Sequence, residues 1–328
     1  MLQTLSPTTE LNLTFDRSNL QILKPYFDIN FATAPLNEKI IFFNNLKTVC
    51  QTSLGLAHCM QHHLAARTAV QLSAATHTLV NTTNFSDVIG CYSIVKRSDK
   101  LILDQHLLNG TKRWFSNIHI ADFGVLQISD GEKIKLVYLD LKQVLHEIKH
   151  DSFTPIGMEI ARAGDLVVDR HQVPDIDILG YAGTQQFFQQ SNFTSYCFLT
   201  NHYALTKSLF LDIKQYAEKN QCGAEFDLKK LEIDVCSLEM QWQDNLKSLA
   251  QTELTNEFWN RRNTQYAFSK KTLISVIQFV LEIGVTYFVD ANSPYSQRFR
   301  DAITYCSHMH PLYRFGQHFH LLDLTADK

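Results

Sequence analysis

Apolar side chains change their period twice along this chain. Residues 1 to about 37 are polar and broken by Pro7, Pro25 and Pro35, which leaves room only for short helices. From Glu38 the pattern is helical, and Leu54, Leu56, Ala57, Met60, Leu64 and Ala65 recur near 3.6 residues. Between about 85 and 180 the texture becomes β. Stretches 88–96, 101–108, 112–117, 124–128 and 134–139 predict strands, with 165–169 and 172–173 finishing the block. Pro174 and Gly180 mark its exit. After about 185 helices return: Leu205, Leu209, Ile213 and Tyr216 keep helical spacing, and Leu228, Leu231, Val235, Leu238, Trp242, Leu246 and Leu249 form one long stripe. Such a stripe needs a partner helix, so a bundle is implied. A last helix begins near 296–300 and runs through Tyr305. The organisation is α+β: an N-terminal helical region over 1–84, a middle β-domain over 85–185 and a C-terminal helical bundle over 186–328.

Two dipeptides, Asn109-Gly110 and Asp130-Gly131, signal hairpin turns, because both positions of each accept positive φ. In the strand after the first, alternation places Lys112, Trp114 and Ser116 on one face. By pattern alone this is an amphipathic edge strand. The same wall also suits a flat, electron-accepting cofactor, stacked near Trp114 and hydrogen-bonded near Ser116.

Composition narrows the classes. The chain has 328 residues, 45% hydrophobic, with a formal net charge of -3, enough for one large domain or two or three packed subdomains. No long basic run points to nucleic acid or an anionic membrane. The most apolar segment, from Leu273 to Val289, is interrupted by Ser275, Gln278, Glu282 and Thr286, one polar stripe of a buried amphipathic helix. Cys50, Cys59, Cys91, Cys197, Cys222, Cys236 and Cys306 are scattered singly, which reads as reduced thiols in a cytoplasmic protein. His58 and His62 are four apart and can share a helix face, but no Glu stands between them in HExxH fashion, so they read as cleft or surface histidines and no metal is expected.

Four stretches carry a resemblance. Gly110-Thr111-Lys112-Arg113-Trp114-Phe115-Ser116-Asn117 with Ala121-Asp122 resembles the central β-domain signature of the acyl-CoA dehydrogenases. Ser86-Asp87-Val88-Ile89-Gly90 resembles the end of that family's flavin-binding loop. Val167 to Pro174 with Leu179-Gly180 resembles the strand and exit that close its β-domain, and Arg298-Phe299-Arg300-Asp301 resembles the Arg-Asp that opens a late helix. The order matches the family's from about residue 80 onward. The resemblance implies N-terminal helices, a β-barrel-like middle domain and a helical bundle. It implies that Trp114 flanks a flavin ring, that Ser116 meets its N5 side and that Ser86 offers a hydroxyl to phosphate. It also implies that Lys219, standing near the family's Arg, meets FAD of a neighbouring subunit.

The chain departs from the family in places. The glycine-rich loop is replaced by Val80-Asn81-Thr82-Thr83-Asn84-Phe85, the N-terminal region is short, and Met309 stands where the best-known members place their catalytic Glu. His308 precedes it, and the related reduced-flavin monooxygenases carry a His about there, often shortly before a Pro, here Pro311. A His titrates near neutrality and serves as acid or base. The resemblance therefore implies a flavin-dependent oxidoreductase of acyl-CoA dehydrogenase type, with FAD and a small substrate such as an acyl-CoA. The alternatives are a monooxygenase using His308, reduced FMN and a separate flavin reductase, or a non-catalytic binding or assembly subunit. A homodimer or homotetramer is expected from the amount of helix-packing surface.

Overall fold

The structure, a computed structural model, describes residues 2–6, 14–73, 87–93, 100–129, 133–144, 146–149, 156–161, 163–181, 184–220, 228–250, 256–290, 292–293 and 295–308. Helix α1 (Arg17–Phe27) starts where the Asp16 side chain accepts the Asn19 N–H. Helices α2 (Leu36–Thr52) and α3 (Leu54–Leu72) are separated by one residue, Ser53, whose hydroxyl caps α3 by accepting the Leu56 N–H. Because α3 packs on both the sheet and the bundle, almost its whole circumference is buried.

The middle of the chain forms one eight-stranded sheet. Its strands are β1 (Gly90–Ser93), β2 (Ile102–Asp104), β3 (Leu107–Ser116), β4 (Phe123–Ser129), β5 (Ile134–Asp140), β6 (His146–Lys149), β7 (Ala163–Gln172) and β8 (Ile178–Tyr181). The order is β6-β7-β3-β2-β4-β5-β8, with β1 pairing parallel to β4. Strands β4 and β5 are buried on both faces. Phe123, Val125, Leu136 and Tyr138 join the helical core, whereas Leu126, Ile128, Val137 and Leu139 join a second cluster with Leu103, Leu108, Phe115, Leu166 and Val168. Strands from distant positions in the sheet meet in that second cluster, so the sheet curls around it, as the barrel-like expectation requires.

The hairpin is not where the sequence signalled it. The turn between β2 and β3 is made by Gln105 and His106, at φ 43° and 69°. Asn109 and Gly110 lie inside β3. Gly110 is needed there for another reason: its φ is 116°, and a Cβ would sit 2.0 Å from the Lys100 carbonyl oxygen. Asp130-Gly131 lies outside the described residues, although β4 and β5 pair antiparallel up to Ser129 and Ile134 on either side of it. Strands β6 and β8 were not foreseen. They are the two ends of the sheet, short and polar or interrupted by glycine, as edge strands often are.

The bundle comprises α4 (Gln185–Asn220), α5 (Leu228–Lys247), α6 (Asn256–Val289) and α7 (Ser296–His308). The stripe on α5 packs within the chain: Leu231, Val235, Leu238, Trp242 and Leu246 are buried. The Trp242 indole N–H donates to Thr200 and its ring stacks on Tyr203. On α6, Gln278, Glu282 and Thr286 are exposed, so the polar stripe faces water. Among the described residues no helix is long and apolar enough to cross a membrane.

Helix α3 crosses β1 so closely that a Cβ on Gly90 would lie 2.5 Å from Phe123 Cζ and 2.9 Å from Ala66 Cβ. Gly90→Ala should therefore overpack this seam and cost about 1–3 kcal/mol of stability. Urea unfolding measures it, and a loss under about 0.5 kcal/mol would contradict the close packing.

Candidate functional site

Strand β3 delivers two of the expected residues, but not by simple alternation. Lys112 pairs with Leu166 and Phe115 with Gly164, so β3 carries one extra residue between them. Trp114 occupies that bulge with φ 55°. Its N–H donates to Asp165 Oδ1 at 3.0 Å, while Asp165 Oδ2 lies 3.5 Å from Arg113 Nε. The slip places Lys112 and Phe115, not Lys112 and Ser116, on one face. Lys112 is buried there, 1% exposed, so the expected line of cation, ring and hydroxyl does not exist. Trp114 is half-buried, Phe115 points into the core inside the curled sheet, and Ser116 is buried at the strand end.

What meets Ser116 comes from α3. His58 Nε2 lies 3.2 Å from Ser116 Oγ. His62 Nε2 lies 3.1 Å from His58 Nε2, and His62 Nδ1 lies 2.6 Å from the Tyr92 carbonyl oxygen. These are one face of α3, four residues apart, pressed on the ends of β1 and β3. The neighbouring contacts hold the same seam: Asn117 Nδ2 donates to the Cys59 carbonyl at 2.9 Å, and the Gly90 N–H donates to His63 Nδ1 at 3.1 Å. Tyr305, on α7, places its ring edge-on to His58 with centroids 6.1 Å apart. Sequence spacing had shown that His58 and His62 share a face; only the fold reveals that the face meets Ser116.

The remaining expected residues are scattered. His308 closes α7, three residues beyond Tyr305; its side chain, Ser86 and Met309 lie outside the described residues. Lys219 is exposed in the last turn of α4. The Arg-Asp motif is structural. Arg298 pairs with Asp212 and donates to the Gln51 carbonyl, and Asp301 accepts the Met158 N–H at 2.6 Å. Burial pushes the Asp301 carboxyl up, against the lowering effect of that N–H.

Asp122, of the Ala-Asp match, also has a structural role. It accepts the Ile89 N–H at 2.8 Å and pairs with Arg17 of α1 and with Lys142. Burial pushes its carboxyl up, but the Ile89 N–H and the two cations outweigh this and hold it below the usual carboxylate range.

The arrangement fits a flat cofactor on the face where Trp114 and Ser116 stand. The indole is partly open, and a hydroxyl that touches His58 still has capacity for further hydrogen bonds.

No family model matches the sequence, and no curated protein is similar to it. Solved structures do match. The chain has the fold of the acyl-CoA dehydrogenases and of a related flavin monooxygenase. It is similar to butyryl-CoA dehydrogenase from Megasphaera elsdenii, with a TM-score of 0.71 and 13% identity over 94% of this chain and 90% of that one. A glutaryl-coenzyme A dehydrogenase bound to glutaryl-CoA matches at TM-score 0.70 and 14% identity, over 88% and 84%. Dibenzothiophene monooxygenase (TdsC) from Paenibacillus sp. A11-2 matches at 0.66 and 12%, over 87% and 83%. Identities this low speak to the fold alone.

Because the folded-state pKa of Asp122 is lowered, its stabilising contribution is complete above the ordinary carboxylate value, about 3.9. It is lost as pH falls through the lowered value. Asp122→Asn should thus be less stable than the parent at neutral pH, and the gap should close on acidification below about pH 4. A gap in melting temperature that stays constant from neutral to acid pH would refute the assignment.

Proposed function

We propose that this protein is a flavin-dependent oxidoreductase, and that its chemistry is monooxygenation with externally reduced flavin. The observation that carries this reading is the contact of His58, backed by His62, with the Ser116 hydroxyl. In the resemblance, that hydroxyl belongs at the N5 side of the ring. Thioester dehydrogenation needs a carboxylate to take an α-proton, and Met309 stands at the position of the usual one. Oxygen transfer instead needs protons delivered on the flavin side, and imidazoles supply them near neutral pH. The fold is shared by dehydrogenases and a monooxygenase, so it admits this chemistry without choosing it.

When bound, a reduced flavin supplies the electrons with which dioxygen gives one oxygen atom to an organic substrate and releases the other as water. The chain's own groups have distinct tasks. Trp114 walls the ring. Ser116 holds a proton at its edge. His58 exchanges protons with Ser116, and His62 backs His58. His308 ends α7, whose Tyr305 already reaches His58, and acts as the second acid or base. FMN is the fitting form, because the glycine-rich loop that would approach a pyrophosphate is replaced in this sequence. The substrate is a small organic molecule, and a flavin reductase is the partner.

The cysteines and helices add two further expectations. Cys50, Cys59, Cys91 and Cys197 are free and buried, which suits a cytoplasmic protein. Exposed Ile233 and Met240 on α5 and Leu281 on α6 support self-association into a dimer or tetramer.

Titration with oxidised and reduced FMN and FAD tests the cofactor. Trp114→Ala should weaken flavin binding by about 0.5–1.5 kcal/mol beyond lost area, and more than Phe115→Ala does in any variant that stays folded. Equal affinities, or no binding by the parent, would sink the flavin reading. His308→Ala should lower substrate oxidation by about 10²-fold or more, with flavin affinity and melting temperature nearly unchanged. Brisk flavin reduction by acyl-CoA thioesters in the parent and in His308→Ala would instead show a dehydrogenase with its base elsewhere.

A further inference from the structure

The pair on α3 has a feature that the flavin reading does not require. Two imidazole nitrogens face each other: His62 Nε2 and His58 Nε2, 3.1 Å apart. A hydrogen bond needs one proton there, and only one. Which ring carries it follows from the far side of His62. The Tyr92 carbonyl oxygen can only accept, and His62 Nδ1 lies 2.6 Å from it, so His62 Nδ1 bears a hydrogen. A neutral His62 then has its lone pair on Nε2. The shared proton must belong to His58 Nε2.

This decides the direction of the next contact. His58 Nε2–H is a donor, and Ser116 Oγ, at 3.2 Å, lies on the same nitrogen. With its one hydrogen on His58 Nε2, divided between His62 Nε2 and Ser116 Oγ, that nitrogen has no in-plane lone pair left, and Ser116 can meet it only as an acceptor. Its own O–H hydrogen is then turned away from α3. Were His58 in the opposite tautomer, its Nε2 would accept the Ser116 hydrogen and the hydroxyl would offer only lone pairs to the site. The tautomer of a ring on α3 thus selects whether Ser116 can donate at the face where a cofactor would stand.

We propose that His62 is a positioning residue: clamped by the Tyr92 carbonyl, it holds neutral His58 in the Nε2–H form and thereby makes Ser116 a hydrogen-bond donor to the group bound beside Trp114. The ligand chemistry follows. A donor hydroxyl recognises a lone pair in the plane of a heteroaromatic ring, such as an unprotonated ring nitrogen. An acceptor hydroxyl recognises a ring N–H. The arrangement accordingly lets the hydroxyl donate to the N5 lone pair of an oxidised flavin, while its remaining lone pair still accepts the N5–H of a reduced one. This consequence rests on the flavin reading; the tautomer itself does not.

The test reads the tautomer on the full chain without flavin. Histidine labelled with nitrogen-15 gives distinct long-range proton–nitrogen patterns for the two neutral forms, and comparison with His58→Gln and His62→Gln assigns the rings. His58 should show a protonated Nε2 and a lone pair on Nδ1, and His62 the reverse. His62→Gln keeps an acceptor toward His58 and should retain the His58 form. His62→Leu removes it, and His58 should shift toward the Nδ1–H form as Ser116 donates to Nε2. An Nδ1–H form of His58 in the parent protein overturns the proposal, whether or not the variants fold. So does one unchanged form in the parent and in His62→Leu. Flavin titration is a separate arm. If the tautomers are as stated and no flavin binds, the clamp stands and the flavin reading fails. If flavin binds and the tautomers are reversed, the clamp fails alone. If both hold, the parent sets a ratio of oxidised-flavin to reduced-flavin affinity. His62→Leu should shrink that ratio by about threefold or more, and an unchanged ratio would overturn the link from His62 to the ligand.

Discussion

The structure turns on one seam, where α3 lies across the ends of β1 and β3. A helix packed on a sheet normally meets it through apolar side chains alone. Here the contact is also polar and specific: imidazoles reach a strand carbonyl, a strand N–H and a strand hydroxyl, and the side-chain amide of Asn117, just after β3, reaches back to a helix carbonyl. These bonds satisfy backbone groups at strand ends that the sheet ladder leaves over. They also fix the helix in rotation and in height, because each has a partner of definite direction. Gly90 permits the approach and Ser53 starts the helix at the right residue.

The carboxylates of the recognisable motifs turn out to be joints around that seam. Asp122 ties α1, the residue before β1 and the turn after β5 together. Asp165 holds the bulge that carries Trp114. Asp301 holds the segment before β7 against α7. Each sets the position of an element that packs around the seam.

Much of the architecture was legible in the chain. The change of period from helical to alternating and back gave the order of helices, sheet and helices, and the stripe on α5 is buried where its spacing required. The site was legible in part. Trp114 and Ser116 were visible as a motif, but a bulge adds one residue and reverses faces, and alternation carries no sign of it. Asn109-Gly110 has the composition of a turn, and glycine serves equally where a neighbouring carbonyl crosses a strand; composition does not separate the two uses. His58 and His62 were noticed for their spacing and set aside, because the partner that gives them meaning is 58 residues from His58 in sequence.

The bonds of α7 have a consequence for how the chain acquires its shape during synthesis. Arg298 reaches the carbonyl of Gln51, 247 residues earlier, and Asp301 reaches the amide of Met158, 143 residues earlier. A ribosome delivers residues in order, so α2, α3 and the sheet emerge long before the helix that clasps them. Until it arrives, the carboxylate that joins Met158 and the ring that abuts His58 are missing, and one flank of the seam stands open to water. The contacts that close this flank are thus among the last the chain can make as it is synthesised.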